Sequence, residues 1–271
     1  MSGYISAAGT ARKIKGIYVG VNGVARTVQK AYVGDASGKA RLWYQRGKPL
    51  SNYAVGSSVY FKVNNARTQW LVVQQGNPDA SIYDSSCDGT WLLMKNIYEN
   101  RAWHTSKMNS YAQSSMHTYL NGTFLGLLET GVQSAVKQVK IPYRAGSGSL
   151  AGTTPLTGAN GLSAKVFLLS ATEVGFNFEK YMPIGEGAEL AYFKGCADND
   201  DDAKRVAYLN GSAKYWWLRS PMCNEHSHVL PVDGTGNWSS FCLSTSSYGV
   251  RPCLILPRSA TVDDSMNVIG G

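Results

Sequence analysis

Asp198-Asn199-Asp200-Asp201-Asp202 is the strongest metal candidate in the chain, because clustered oxygen ligands suit calcium. The run fails the helix-loop-helix calcium pattern: Ala203 takes the place of the sharp-turn glycine, and Leu209 stands where the closing bidentate glutamate belongs. It reads as a solvated acidic turn. His226 and His228 are two residues apart, so on a strand they share a face and could share a metal or contact a ligand. His104 and His117 have no acidic residue or cysteine at ligand spacing and read as structural. The five cysteines, Cys87, Cys196, Cys223, Cys242 and Cys253, contain no CxxC pair, and their odd number argues for reduced thiols over a disulfide scaffold. There is no GxSxG nucleophile elbow, no GxGxxG after a strand and no GK[ST] phosphate loop. No catalytic residue, metal or cofactor is assigned, and the chain is expected not to be an enzyme.

A binding surface is better supported. Two rigid blocks, Tyr215-Trp216-Trp217-Leu218-Arg219-Ser220-Pro221 and Tyr248-Gly249-Val250-Arg251-Pro252-Cys253-Leu254-Ile255-Leu256, flank an interval with no Lys or Arg, in a chain whose net charge is +8. The interval is rich in Ser, Thr, Asn and His, with Trp238 and Phe241 among them. Recognition loops use this mixture, since aromatics supply contact area at low entropic cost and small polar groups supply adaptable hydrogen bonds. A solvated loop is the alternative. The candidate ligand-binding residues are Asn224, Glu225, His226, His228, Asn237, Trp238, Ser239, Ser240, Phe241, Leu243, Thr245, Ser246 and Tyr248, with Trp238 and Phe241 as anchors. Arg219 and Arg251 are expected to clamp loops through backbone carbonyls, and Trp216 and Trp217 to point to opposite strand faces.

The elements that must position this interval follow from patterning. Alternating residues predict strands at 58–63 and 69–74, an apolar run predicts a buried strand at 166–169, and further strands are expected at 91–95, 215–219, 228–232 and 250–256. Ser106 is expected to cap a helix carrying Met108, Tyr111, Ala112, Met116, Tyr119 and Leu120, closed by Asn121-Gly122. Ser170-Ala171-Thr172-Glu173 is a capping box that should start another. The fold class expected is α+β, with few helices and long loops such as 144–161, preceded by a small β-rich repeat module.

That module is an internal repeat. Ala11-Arg12-Lys13-Ile14-Lys15-Gly16-Ile17-Tyr18-Val19-Gly20 recurs at Ala25 to Gly34, and Ala40-Arg41-Leu42-Trp43-Tyr44 begins a truncated third copy. Strand-and-turn units this short cannot bury their own apolar face, so packing against other subunits is expected. Residues 1–50 hold nine basic side chains against one acid, Asp35, and therefore carry the whole +8. They lack a groove-reading helix and aromatic interleaving, so no nucleic-acid partner is expected. No apolar run reaches membrane-spanning length, and Met1-Ser2-Gly3-Tyr4 does not open a signal peptide; synthesis in the cytoplasm without membrane insertion is expected. The division is 1–48 repeat module, 49–258 ligand-binding domain and 259–271 flexible tail.

Trp216-Trp217-Leu218-Arg219-Ser220-Pro221, a variable interval and Tyr248-Gly249-Val250-Arg251-Pro252 resemble phage and gut-bacterial proteins with a C-type-lectin-like domain of the formylglycine-generating-enzyme type. The N-terminal repeat is similar to modules of phage structural and tail proteins. Some members of that group are variable proteins of diversity-generating retroelements, in which Asn codons scatter into a permitted set that excludes Lys, Gln, Glu, Trp and Met. Residues 239–247 fall inside that set, as do Cys223, Asn224, His226, Ser227 and His228; Glu225 and Trp238 do not. The resemblance implies a C-type-lectin-like receptor-binding protein of a phage or prophage tail, located in the virion. Its implied partners are a host-surface protein or glycan, other tail proteins and copies of itself, a trimer by analogy. Two alternatives stay open: an oxidase-like enzyme on the formylglycine-generating-enzyme fold, and a purely structural virion protein. The oxidase reading needs closely spaced copper-binding cysteines, whereas Cys242 and Cys253 are eleven apart.

Overall fold

A computed structural model describes residues 4–7, 10–13, 17–28, 30–34, 38–146, 154–177, 185–196, 200–222, 225–239 and 242–270. The chain opens with three hairpins: β1 (Tyr4–Ala7) with β2 (Thr10–Lys13), β3 (Tyr18–Val21) with β4 (Val24–Thr27), and β5 (Lys30–Gly34) with β6 (Ala40–Gln45). Each is a separate two-stranded sheet. The hairpins are out of step with the sequence repeat: each pairs the Tyr-containing end of one unit with the Ala-Arg start of the next, giving Gly20↔Ala25 and Gly34↔Ala40. The module is therefore three whole hairpins, with Tyr4-Ile5-Ser6 supplying the first outgoing strand. Asn22 and Gly23 both have positive φ, 51° and 78°, the turn that matches strand twist in a two-residue hairpin loop.

Beyond the short β7 (Lys48–Pro49), β8 (Ser58–Val63), β9 (Ala66–Gln75) and β10 (Thr90–Met94) begin the main domain, followed by β11 (Glu99–Ala102). The helical stretch is α1 (Ser115–Tyr119), a π turn (Leu120–Phe124) and α2 (Leu125–Leu127), with α3 (Thr130–Ala135) close behind. Strands β12 (Val139–Ile141), β13 (Leu162–Ala164), β14 (Val166–Phe167), β15 (Tyr208–Leu209) and β16 (Ser212–Ala213) are short. The closing strands are β17 (Trp216–Pro221), β18 (Val229–Val232), β19 (Ser247–Val250), β20 (Cys253–Leu256), β21 (Thr261–Val262) and β22 (Val268–Gly270).

Two sheets organise the domain, one ordered β14-β20-β10-β9-β8 and one ordered β11-β19-β17-β18. All of β10 and β20 is buried, which is why Thr90-Trp91-Leu92-Leu93-Met94 and Cys253-Leu254-Ile255-Leu256 read as continuous rather than alternating apolar runs. The run expected as one strand at 250–256 is two. Arg251-Pro252 is the corner at which the chain leaves one sheet for the other, and proline, with no N–H to give, ends the ladder there. Met94 and the corner are tied both ways: the Met94 amide donates to the Pro252 carbonyl at 2.9 Å, and Arg251 Nε donates to the Met94 carbonyl at 3.0 Å.

The α+β expectation with a C-type-lectin-like domain is overturned. The described residues form mostly strands and loops, distributed over many small sheets, with α- and π-helix confined to 115–127 and α3 and the remaining helix in single 3-10 turns. Two expected helices shrink or vanish because tertiary partners take up the groups that would have capped them. Ser106 caps nothing, because its carbonyl and the Met108 amide are both bonded to Ser244 Oγ at 3.1 Å, which holds 106–108 out of helical geometry. The cap is Ser114, whose Oγ accepts from the His117 amide at 3.0 Å. The Ser170–Glu173 box makes both of its reciprocal bonds, at 2.9 and 3.1 Å, yet the chain continues as a turn. Glu173 also binds Arg219 with both oxygens, at 2.6 and 2.7 Å, so a tertiary partner takes over from the helix it would have started.

Residues 259–271, expected as a flexible tail, instead contain β21 and β22, with β21 paired to β22 on one side and to β7 on the other. Ala260, Val262 and Val268 are buried. Among the described residues no helix is long and apolar enough to cross a membrane.

Candidate recognition surface

The interval between the two blocks folds as an irregular extra strand along β18. Val229 N donates to Cys242 O at 3.0 Å, Ser239 N to Pro231 O at 3.1 Å and Ser244 N to Ser227 O at 2.7 Å, with isolated bridges at His228↔Leu243 and Val232↔Trp238. The chain then crosses to β19 on the far side of β17, where Trp216 pairs with Gly249 in parallel. Gly249 is required by that approach: an added Cβ would lie 2.7 Å from the Tyr215 carbonyl oxygen. Ser244 is the pin of the crossing, fully buried and bonded to the 106–108 segment.

A second pin is Asn109, also fully buried. Its carboxamide nitrogen faces three carbonyl oxygens, those of Met222 (3.4 Å), Glu225 and His228 (3.2 Å), so its two hydrogens hold both ends and the middle of the 222–228 loop. Apart from the Ser244 hydroxyl, these restraints act on the main chain of the interval. The side chains they leave toward solvent are His226 and Thr245, both exposed, and Glu225, His228, Asn237, Trp238, Ser239, Leu243, Ser246 and Tyr248, all half-buried. Glu225 Oε2 stands 3.5 Å from His228 Nδ1. Asn237 is partly committed to the fold, since its Oδ1 accepts from the Trp238 amide at 2.8 Å. Asn224, Ser240 and Phe241 lie outside the described residues, as do Cys223, Asp198 and Asn199.

Tyr248 joins this surface to the sheet. Its ring stacks on Tyr215 at 5.2 Å and tilts against Trp217 at 4.8 Å, while Cys242 Sγ lies 3.9 Å from its hydroxyl and 3.8 Å from Ser239 Oγ. Five of the seven tryptophans, Trp70, Trp91, Trp103, Trp216 and Trp217, are fully buried, which leaves Trp238 as the one indole beside the candidate surface that reaches solvent. Both Trp216 and Trp217 are core; Trp217 is the member covered by Tyr248.

Cys242 lies in the interval read as a recognition surface, yet it is buried. Burial pushes its thiol pKa up, and burial also raises that of Cys253, which sits on β20 in the other main sheet. Thiols held protonated in this way are poor nucleophiles and poor metal ligands. Patterning did not reveal three further contributors: Tyr215, Asn109 and Arg101. Arg101 is the cross-strand partner of Tyr248, pairs with Glu99 at 2.9 Å and lies 3.7 Å over the Tyr119 ring. Position 215 was readable, since it shares a strand face with Trp217, but Asn109 carries no local signal.

Beneath the surface, buried arginines fasten the loops. Arg219 donates to the carbonyls of Pro142 (3.1 Å), Leu168 (2.9 Å) and Glu186 (3.3 Å) in addition to Glu173, and Arg205 Nε donates to Gly236 O at 2.7 Å. Arg251 lies 4.7 Å over the Trp216 ring. Burial lowers the Arg251 pKa to about 10, so the guanidinium keeps its proton at neutral pH. Glu186 is fully buried, accepts from Ser220 Oγ and from the Arg144 amide, and lies 3.6 Å from Arg219 Nε. Desolvation raises its pKa despite those partners.

A carboxyl whose folded pKa exceeds its unfolded value contributes stability at low pH that is lost as pH rises through the folded pKa. Glu186→Gln should therefore gain in melting temperature relative to the native chain as pH is raised from the ordinary carboxylate range toward neutrality. Parallel thermal melts across that range check this, and a difference that stays constant or shrinks with rising pH refutes it.

No curated protein and no solved structure matches the chain. One family profile does, that of DUF6273, described only as a domain of unknown function, over residues 88–258. Those residues include both arginine blocks, the candidate surface between them and most of the core that carries it, so this chain belongs to the DUF6273 family.

Proposed function

We propose that the protein is a recognition module whose outward side chains can be exchanged on a fixed frame, serving as the receptor-binding protein of a phage or prophage tail. The observation that carries this reading is the way the 222–248 interval is held. Asn109 and the bonds to β18 restrain it through backbone atoms, and the one side chain of the interval that pins it, Ser244, is buried, so exchange of the exposed Thr245 side chain leaves these restraints in place. The ligand would be a host-surface protein or glycan, met by Glu225, His226, His228, Trp238, Ser239, Thr245 and Tyr248, with Tyr215 extending the aromatic contact. Diversification by a retroelement is the source of variation that the residue types in this interval suit.

The test is a comparison of genomic copies with any adjacent template repeat. Substitutions should concentrate at outward positions of 222–247 and match template adenines. Asn109, Cys242, Ser244, Arg219 and Arg251 should stay constant, because each is buried. Changes spread evenly along the chain, or changes that fall on the buried set, would sink the proposal.

A further inference from the structure

Ten large apolar side chains stand exposed among the described residues, and seven of them lie in the repeat module: Tyr18, Val19, Val21, Val24, Tyr32, Val33 and Trp43. They occupy both faces of their hairpins. Tyr18 shares one face of the β3-β4 hairpin with Gly20, while Val19, Val21 and Val24 share the other, as the register and strand alternation require. The hairpins are separate two-stranded sheets, so each also presents open strand edges. A two-stranded hairpin is marginal in water without a covered apolar face, and open edges invite pairing with another chain.

With Tyr18 67% exposed, Val24 60% and Tyr32 58%, a large part of each side chain faces solvent. Taking about 150–250 Å² for a whole aromatic and less for valine, the seven leave roughly 700 Å² uncovered, close to the ~800 Å² per partner that a specific interface buries.

We propose that the β3-β4 and β5-β6 hairpins form a homotypic interface, in which the hairpins of a second copy of this chain cover those of the first. A globular partner with one apolar face would cover one side of a hairpin and leave the other wet. Hairpins of a like chain have the same strand lengths and open edges, set by a tyrosine every fourteen residues at 4, 18 and 32, so they can cover faces and meet edges together. The charge of the module makes the two sources of association separable. Residues 1–50 carry +8, so like copies repel, and their association must rest on apolar burial and tighten as salt screens the repulsion. A charge-driven contact would loosen instead.

Sedimentation velocity on the full chain decides the matter, using the native protein, the Val19→Asp/Val33→Asp variant and the Tyr18→Ser/Tyr32→Ser variant. These four side chains are exposed, so at concentrations too low for association the variants should melt as the native chain does. The native chain should associate at micromolar concentration, more tightly on going from roughly 0.05 M to 0.5 M salt, and each variant should associate at least about tenfold more weakly. A native chain that stays monomeric overturns the proposal. So do variants that associate as the native chain does, or association that weakens with salt.

Discussion

Arg219→Met is expected to destabilise the protein by about 3–5 kcal/mol, the usual cost of removing one partner from a buried ion pair. The guanidinium is fully buried and saturates two oxygens of Glu173, itself fully buried, while Glu186 stands 3.6 Å from its Nε. Methionine fills much of the volume but leaves Glu173 without a counter-charge and three loop carbonyls without a donor. Chemical denaturation of the purified variant measures the loss. Adding Glu173→Gln should recover part of it, since the amide removes the stranded charge and still accepts from the Tyr83 hydroxyl, now 2.8 Å from Oε1. A loss under about 1 kcal/mol, or a double variant no better than the single, would show that the cluster does not hold the frame.

Asn109→Ala should come next in size, at about 2–3 kcal/mol, because three carbonyls lose their shared donor inside the protein. The location of the effect is the sharper part of the prediction. Hydrogen exchange should rise at least about tenfold at the amides of Met222, Val229 and Ser244, which bond within the interval, while β9 and β10 keep their protection. His226→Ala and Thr245→Ala should stay within about 0.5 kcal/mol of the native chain, as exposed side chains do. If those two variants destabilised the fold as much as Asn109→Ala, the interval would be part of the core's packing and not a surface with exchangeable side chains.

The strands were legible where one face is wet. Ser58–Val63 alternates half-buried and buried residues up to Phe61, and that period of two is what patterning detects. Helices were less so, because a cap is only an offer of hydrogen bonds. The cap is Ser114 and not the expected Ser106, because Ser106 is held by Ser244, more than a hundred residues away. The capping box at Ser170 formed in full and still started no helix, since Glu173 had a stronger partner in Arg219. Cys242 looked like a surface residue because its neighbours are small and polar, yet it turns inward beneath Ser239 and Tyr248.

By itself, the order of residues determined the strand pattern, the hairpin repeat with its concentrated charge, the loop-clamping role of Arg219 and Arg251, and the segment that could serve recognition. Each of these depends on composition or on spacings of two to fourteen residues, which a linear reading can see. Only the tertiary structure decided that the fold is mostly β, that the last residues close a sheet with β7, and that Asn109, Ser244 and Tyr215 gather at the candidate surface. Those outcomes rest on contacts between residues far apart in the chain, where a buried donor takes whichever acceptor folding brings to it, and no local pattern encodes that choice.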